Sequence, residues 1–413
     1  MGNDNFIDVA IGFATGRKMF KDVLASYVYH LDESQILKKQ NVRLHLIVSY
    51  DLAYYGTEVS DYTSIDSYVL DKFASYDFIG EDEINAVIQE LIDNKIVKPE
   101  DRDICFGNGY AAKRNIVLYY AMKKKMDFLI FMDDDEYPMA VTEKGGDCLW
   151  SGQHVIDQHI NTLKFADITN GFHCGYISPI PSVEFDEVLN EDVFRAFIEA
   201  LSNDVLSWDS IRQVMNNGGV TYADKEILIS KKVSLVEEVN GAKFITGGNL
   251  GLNLQRKDKI NPFFNPPGAR GEDTFLSTCL SNVTVKRIPT YTFHDGFAIY
   301  KNLLNGVLPI HLKAINPSES KVIIDRFYRA CVGWVRYKPL YTYITNRDGY
   351  EEVIKNMREK LEATIPLICA FFNREEFRNI PDELDKFDRD VKEHFEQFEK
   401  TKQIWEGIKE YLD

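Results

Sequence analysis

The chain has 413 residues, a formal net charge of -16 and 45% hydrophobic residues. That length holds one large or two modest domains, and the acidic balance excludes nucleic acid or an anionic membrane surface as a partner held by bulk charge. Six cysteines scattered without CxxC spacing exclude a disulfide framework and a zinc site, and read as reduced residues of a cytoplasmic protein. The polar start Met1-Gly-Asn-Asp-Asn5 has neither the basic opening nor the apolar core of a signal peptide. No apolar run reaches the roughly 18 residues of a membrane span.

Phe6–Phe13 reads as a first strand, Ala14-Thr-Gly-Arg17 as a tight turn, and Met19 to Leu31 as an amphipathic helix. Val42–Ser49 is a second strand ending at Asp51, which completes a βαβ unit. Functional groups are then expected after each strand, at Thr15, Gly16, Arg17 and Asp51. A glycine in such a turn lets backbone approach a ligand. Arg17 serves either a phosphate or a surface carboxylate. Residues 51–80 read as a loop with a short helix, and Glu81–Lys95 as a helix. Asp103–Phe106 reads as a third strand, and 110–125 as a helix with Lys113 and Arg114 near its N-terminus. That end favours anions, although solvated surface charges explain the same pattern.

Phe128–Met132 is an uncharged apolar run, the mark of a strand buried on both faces. Asp133, Asp134, Asp135 and Glu136 follow at once. A buried strand that delivers carboxylates to the C-terminal edge of a sheet places them where open α/β sheets bind ligands. Hard oxygen ligands suit Mg²⁺ or Mn²⁺, usually held together with substrate phosphates. An acidic loop capping the strand is the plainer reading.

Residues 142–158 read as irregular, 167–181 as a strand, and 187–216 as two helices of an insertion spanning about 185–220. Glu226–Val239 reads as a hairpin or strand pair. Phe244–Leu254 holds Gly247, Gly248 and Asn249 in an apolar segment, a backbone that can line a ligand site. Gly271-Glu-Asp273 places two carboxylates at a helix start. Val283–Ile288 is the last strand, followed by His294. Beyond 300 the pattern is helical, over 318–337, 349–372 and 382–412. Leu384, Val391, Phe395, Phe398, Trp405, Ile408 and Leu412 recur near heptad spacing, which fits packing on the chain's own domain or a homo-oligomer.

The ordered set Asp133-Asp-Asp135, Gly247-Gly-Asn249, Gly271-Glu-Asp273 and His294, after a βαβ start, resembles a GT-A fold glycosyltransferase, closest to the family-two-like inverting enzymes. The resemblance covers roughly residues 5–300. It implies an α/β, Rossmann-like nucleotide-diphospho-sugar transferase domain over 1–300, with a C-terminal helical extension over 301–413. It also implies Mn²⁺ or Mg²⁺ as cofactor, a nucleotide-diphosphate sugar (UDP favoured) as donor and a glycan-type acceptor. In such enzymes Asp133, Asp135 and His294 would form the metal set, with Asp133 and Asp134 facing the donor. Asp273 would be the catalytic base and Glu272 a ligand of acceptor hydroxyls. Asp51, Thr15, Gly16 and Arg17 would hold the base, Lys113 and Arg114 the diphosphate, and Gly247 and Gly248 the sugars. The chain departs from the family at Phe13-Ala-Thr-Gly-Arg17, where a Pro-Thr-Tyr-Asn-like stretch is usual. It also lacks the Gln-x-x-Arg-Trp signature of membrane polysaccharide synthases. The alternatives are phosphoryl or nucleotidyl transfer on a similar layout, and a non-catalytic sugar-binding module.

Overall fold

The computed structural model describes residues 6–39, 41–201, 207–300, 302–303 and 306–413. Met1–Asn5 and residues 202–206, inside the expected insertion, lie outside them. The strands are β1 (Ile7–Thr15), β2 (Val42–Tyr50), β3 (Ser75–Ile79), β4 (Phe128–Met132), β5 (Glu136–Tyr137), β6 (Met139–Lys144), β7 (Asp147–Gly152), β8 (Ile168–Gly175), β9 (Ser234–Leu235), β10 (Leu250–Asn253) and β11 (Val285–His294). One nine-stranded sheet runs β3-β2-β1-β4-β10-β8-β11-β5, with β9 beside β11. β3, β2, β1 and β4 are parallel, β10 is inserted antiparallel, and β8 and β11 are parallel to each other. β6 and β7 form a separate hairpin. This is an α/β fold with a large, mostly parallel sheet.

Strand periodicity explains the layering. Val9, Ile11 and Phe13 of β1, with Phe128, Ile130 and Met132 of β4, pack on Phe20, Leu24 and Val28 of the helix Phe20–Ser34. Their alternate neighbours Ala10, Leu129 and Phe131 face the other way, onto the helices Glu81–Asp93 and Tyr110–Lys123. A Cβ on Gly12 would stand 2.7 Å from Val117, so glycine lets the second helix lie close.

The core does not divide at 300. Trp405, Ile408 and Leu412 of the helix Val391–Leu412 are buried with Leu91 and Tyr119 behind the sheet. A third cluster joins Phe194 and Phe197 to Phe327, Phe372 and Leu384, and includes Phe264 and Phe275 from the sheet domain. Of the heptad-spaced positions, Leu384, Val391, Phe398, Trp405, Ile408 and Leu412 are buried inside the chain, and Phe395 is partly buried against the third cluster. Among the described residues no helix is long and apolar enough to cross a membrane.

Several expectations fail. Asp103–Phe106 is a turn, not a strand. Gly107 N donates to Asp103 O at 2.9 Å, and Cys105 and Phe106 enter the core from the coil. The third parallel strand is β3, inside the supposed loop. Residues 139–152 form a hairpin closed at Gly145-Gly146, whose φ of 64° and 92° suit glycine alone, and Val155–Leu163 is a helix. Within 226–239 the chain forms the helix Lys225–Ser230 and only a two-residue strand. β11 runs on through Pro289 to His294. The helix Lys321–Thr345 continues through the buried Pro339, and the last expected helix is two, Ile380–Arg389 and Val391–Leu412.

Candidate functional site

The order β3-β2-β1-β4 reverses direction between β1 and β4, and such a switch point, at the C-terminal ends of the strands, is where open α/β sheets bind ligands. Thr15 ends β1 and Asp133–Asp135 follow β4. There Thr15 Oγ1 donates to Asp134 Oδ2 at 2.6 Å. Arg17 Nη1 bridges Asp134 Oδ1 at 2.6 Å and Asp135 Oδ2 at 2.5 Å. Of the two readings left open for Arg17, it takes carboxylates, and these are buried ones. Burial and Asp135 raise the Asp134 carboxyl, while Arg17 opposes them.

Arg114 is fully committed. It donates to Asp133 Oδ1 at 2.7 Å and Gly247 O at 2.8 Å, and reaches Glu272 Oε1 at 3.4 Å. It is 2% exposed, so it ties the motifs together from below instead of presenting itself to a phosphate. Burial and the neighbouring acids push the Asp133 carboxyl up to about 7, against the pull of Arg114. A Cβ on Gly247 would meet Arg114 Nη2 at 2.6 Å, and one on Gly248 would meet Asp133 Oδ2 at 2.7 Å. The glycine pair is the only residue type that fits over these charged groups.

Asp273 opens the helix Glu272–Ser277. Its Oδ1 accepts from its neighbour Thr274 N at 2.8 Å, and its Oδ2 from Gly247 N at 3.2 Å. Burial and Glu272 push the carboxyl up to about 6, with Arg114 opposing. Proton uptake by such a group is poised near neutrality.

His294 ends β11, and its Nδ1 lies 2.7 Å from Tyr176 O. That carbonyl can only accept, so Nδ1 carries a proton and Nε2 faces Asp135 Oδ2 at 3.3 Å. Burial raises the Asp135 carboxyl, but His294 and Arg17 outweigh it and hold the group well below the usual range. Two ligand atoms at that separation, one of them an oriented imidazole nitrogen, fit neighbouring positions around a divalent cation. Asp133 does not join them. Among the described residues the only three possible ligands mutually within 4.8 Å are His30, Glu33 and His154, which lie elsewhere on the surface. The expected set Asp133, Asp135 and His294 is therefore a pair plus an acid turned toward Arg114.

At the outer edge, Tyr54 packs on Gly16, where a Cβ would stand 2.8 Å from Tyr54 Cβ, and lies edge-on to Tyr110 at 6.1 Å. Asp51 N bonds Thr15 O at 2.9 Å, and the Asp51 carboxylate accepts from Ala53 N at 2.9 Å. Burial lowers the Lys113 ammonium, and the charges of Asp51 and Glu81 act against that.

Sequence reading assigned no role to four contributors. Glu136 is buried with Thr292 Oγ1 at 2.8 Å and His173 Nε2 at 3.2 Å. Its place in the acidic run and the strand-end position of His173 were the available signals. Tyr54 stands in the unassigned loop, and Arg326 has no local motif at all. A separate cavity of about 760 Å³, lined among others by Ser182, Asn316, Lys321, Phe371 and Arg374, holds none of the site residues. No protein-family model matches the chain, and no curated protein matches it.

Proposed function

We propose that the chain is a glycosyltransferase of GT-A type that moves a sugar from a nucleotide-diphosphate donor to an acceptor hydroxyl, with inversion. One observation carries the reading. Arg114 binds Asp133, the Gly247 carbonyl and Glu272, so motifs as far apart as 158 positions form a single site at the sheet's switch point.

Asp273 takes the acceptor proton as the acceptor oxygen bonds to the anomeric carbon. The bond from that carbon to the diphosphate oxygen breaks, and its electron pair leaves with the nucleotide. One base and attack from the face opposite the leaving group invert the centre. Asp135 and His294 would hold a Mn²⁺ or Mg²⁺ ion, which when bound neutralises charge on the leaving diphosphate. Gly247 and Gly248 leave room for the sugar above the acids. Tyr54, Tyr110 and Asp51 border the place for the base and ribose of the nucleotide, with UDP the favoured one.

A thermal-shift screen of UDP, GDP, CMP and their sugars, each with Mn²⁺ or EDTA, tests this. Stabilisation by one nucleotide only with metal, lost in Asp135→Ala, is the expected result. No shift with any nucleotide would sink the reading.

A further inference from the structure

Arg326 lies on the helix Lys321–Thr345, outside the stretch that carries the glycosyltransferase resemblance. Its guanidinium stacks over the Phe297 ring at 4.3 Å from the centroid. It also lies so close to Gly296 that a Cβ there would collide with both Nη atoms, and the same Cβ would stand 2.5 Å from His294 Cε1. Arg326 is therefore beside the imidazole that faces Asp135. Asp135 attracts its charge, while Arg17 and Arg270 repel it, and burial pushes the guanidinium down to about 10.

A guanidinium carries five N–H donors, and leaving them without acceptors in a half-buried place is costly. Among the described residues Arg326 has neither a hydrogen bond nor a carboxylate within ion-pair distance. Arg17 and Arg114 already hold carboxylates. Arg270, by contrast, gives a single bond, Nη2 to Tyr54 OH at 3.3 Å, and its stem lies 3.9 Å from a Cβ built on Gly333 of the same C-terminal helix. Two arginines with donors to spare thus lie near the His294–Asp135 pair, Arg326 on that helix and Arg270 on the loop beside it.

We propose that Arg326, assisted by Arg270, forms the seat for the diphosphate of the ligand, so that the C-terminal helical region completes the donor site. The nucleotide part of this statement rests on the glycosyltransferase reading; the anion seat rests on the arginine geometry. Guanidinium groups suit phosphate oxygens because parallel N–H donors match them in pairs, and they favour the charge that develops on a departing diphosphate.

The test uses the full chain with Mn²⁺ and three probes: inorganic pyrophosphate, UDP and UMP. Binding is followed by thermal shift and by competition. In the native chain pyrophosphate should bind, and UDP should bind more tightly than UMP. In Arg326→Met the affinity for pyrophosphate should fall about tenfold or more, the scale of one lost charge-assisted contact. UDP should lose its advantage while UMP stays unchanged, and Arg326→Lys should keep part of it. Arg326→Gln, which keeps a polar stem but removes the charge, should reproduce the loss if Arg326→Met does not fold. UDP and pyrophosphate binding unchanged in both variants would overturn the seat and leave the transferase reading standing. An equal loss of UMP would overturn it too, as a general structural effect. Pyrophosphate binding that depends on Arg326, with no nucleotide bound, would keep the seat and remove the transferase reading. No pyrophosphate binding by the native chain would overturn the seat.

Discussion

Gly248 and Asp133 are packed so closely that a Cβ on the glycine would stand 2.7 Å from the acid's Oδ2, and 2.9 Å from Glu136 Oε2. Neither carboxylate is free to retreat, since Arg114 holds the first and Thr292 the second. Gly248→Ala should therefore cost about 1–3 kcal/mol, as overpacking does, and weaken donor-induced stabilisation. Urea denaturation checks the first part. An unchanged midpoint would mean that the turn can shift to make room.

Asp273 yields a pH prediction. As a base it must be ionised, so transfer should rise with pH through about 6 and level off above it. Asp273→Asn should lose at least about a hundredfold at every pH. The stability effect has its own sign. A carboxyl whose folded pKa is raised favours the folded state below its ordinary value of 3.8 and loses that contribution as pH rises through about 6. Asp273→Asn should then be more stable than the native chain at pH 8, by roughly 1–2 kcal/mol after allowance for its partial exposure. A flat rate profile from pH 5 to 8 would place the base elsewhere.

Among the described residues Arg17 is the only ion-pair partner of Asp134, whose side chain is 1% exposed. Arg17→Met leaves Asp134 with Thr15 alone and Asp135 with His294 alone, and should cost about 3 kcal/mol, the low end for a broken buried pair because Arg17 keeps 25% exposure. Mn²⁺ should restore part of that loss if Asp135 and His294 hold a cation. Melting with Mn²⁺ and with EDTA separates the two outcomes; identical curves would count against a metal at this pair.

Trp405 is fully buried, and its indole N–H has no partner among the described residues. Trp405→Ala should cost about 3–5 kcal/mol. Trp405→Phe loses no hydrogen bond and should cost less than about 1.5 kcal/mol. Similar costs for the two would mean that the N–H is satisfied in solution.

The parts legible in the sequence are those where local pattern and tertiary place agree. Phe128–Met132 is buried on both faces and has no polar residue to confuse its reading, so the strand and the acids after it were found together. β3 was hidden because Ser75-Tyr-Asp-Phe-Ile79 is a half-exposed edge strand, with Tyr76 open to solvent. Cys105 and Phe106 misled in the opposite sense: they are buried without any sheet partner. The acids Asp133, Asp135 and Asp273 were visible as motifs, but which cation each one faces was not. That depends on Arg17 and Arg114 arriving from separate elements. Arg326 could not be read at all, since its proximity to His294 is created by the packing of a helix some thirty residues further along.

The helix Val391–Leu412 has a consequence for biosynthesis. Its Trp405, Ile408 and Leu412 join the cluster that holds Leu91, Phe106 and Tyr119, on the two helices behind the sheet and the turn between them, and Lys400 pairs with Asp101 at 2.5 Å. Tyr411 also reaches Glu90 at 3.0 Å. While the chain is still being made, at about 5–20 residues per second, the apolar surface around Leu91, Phe106 and Tyr119 stays open until Trp405–Leu412 have left the ribosome. The parallel strands and the helices Glu81–Asp93 and Tyr110–Lys123 can pack early, but this surface waits for the helix Val391–Leu412. A nascent chain stalled anywhere in the final helix would thus present a sticky half-domain to the cell, and chaperone capture should peak in that window.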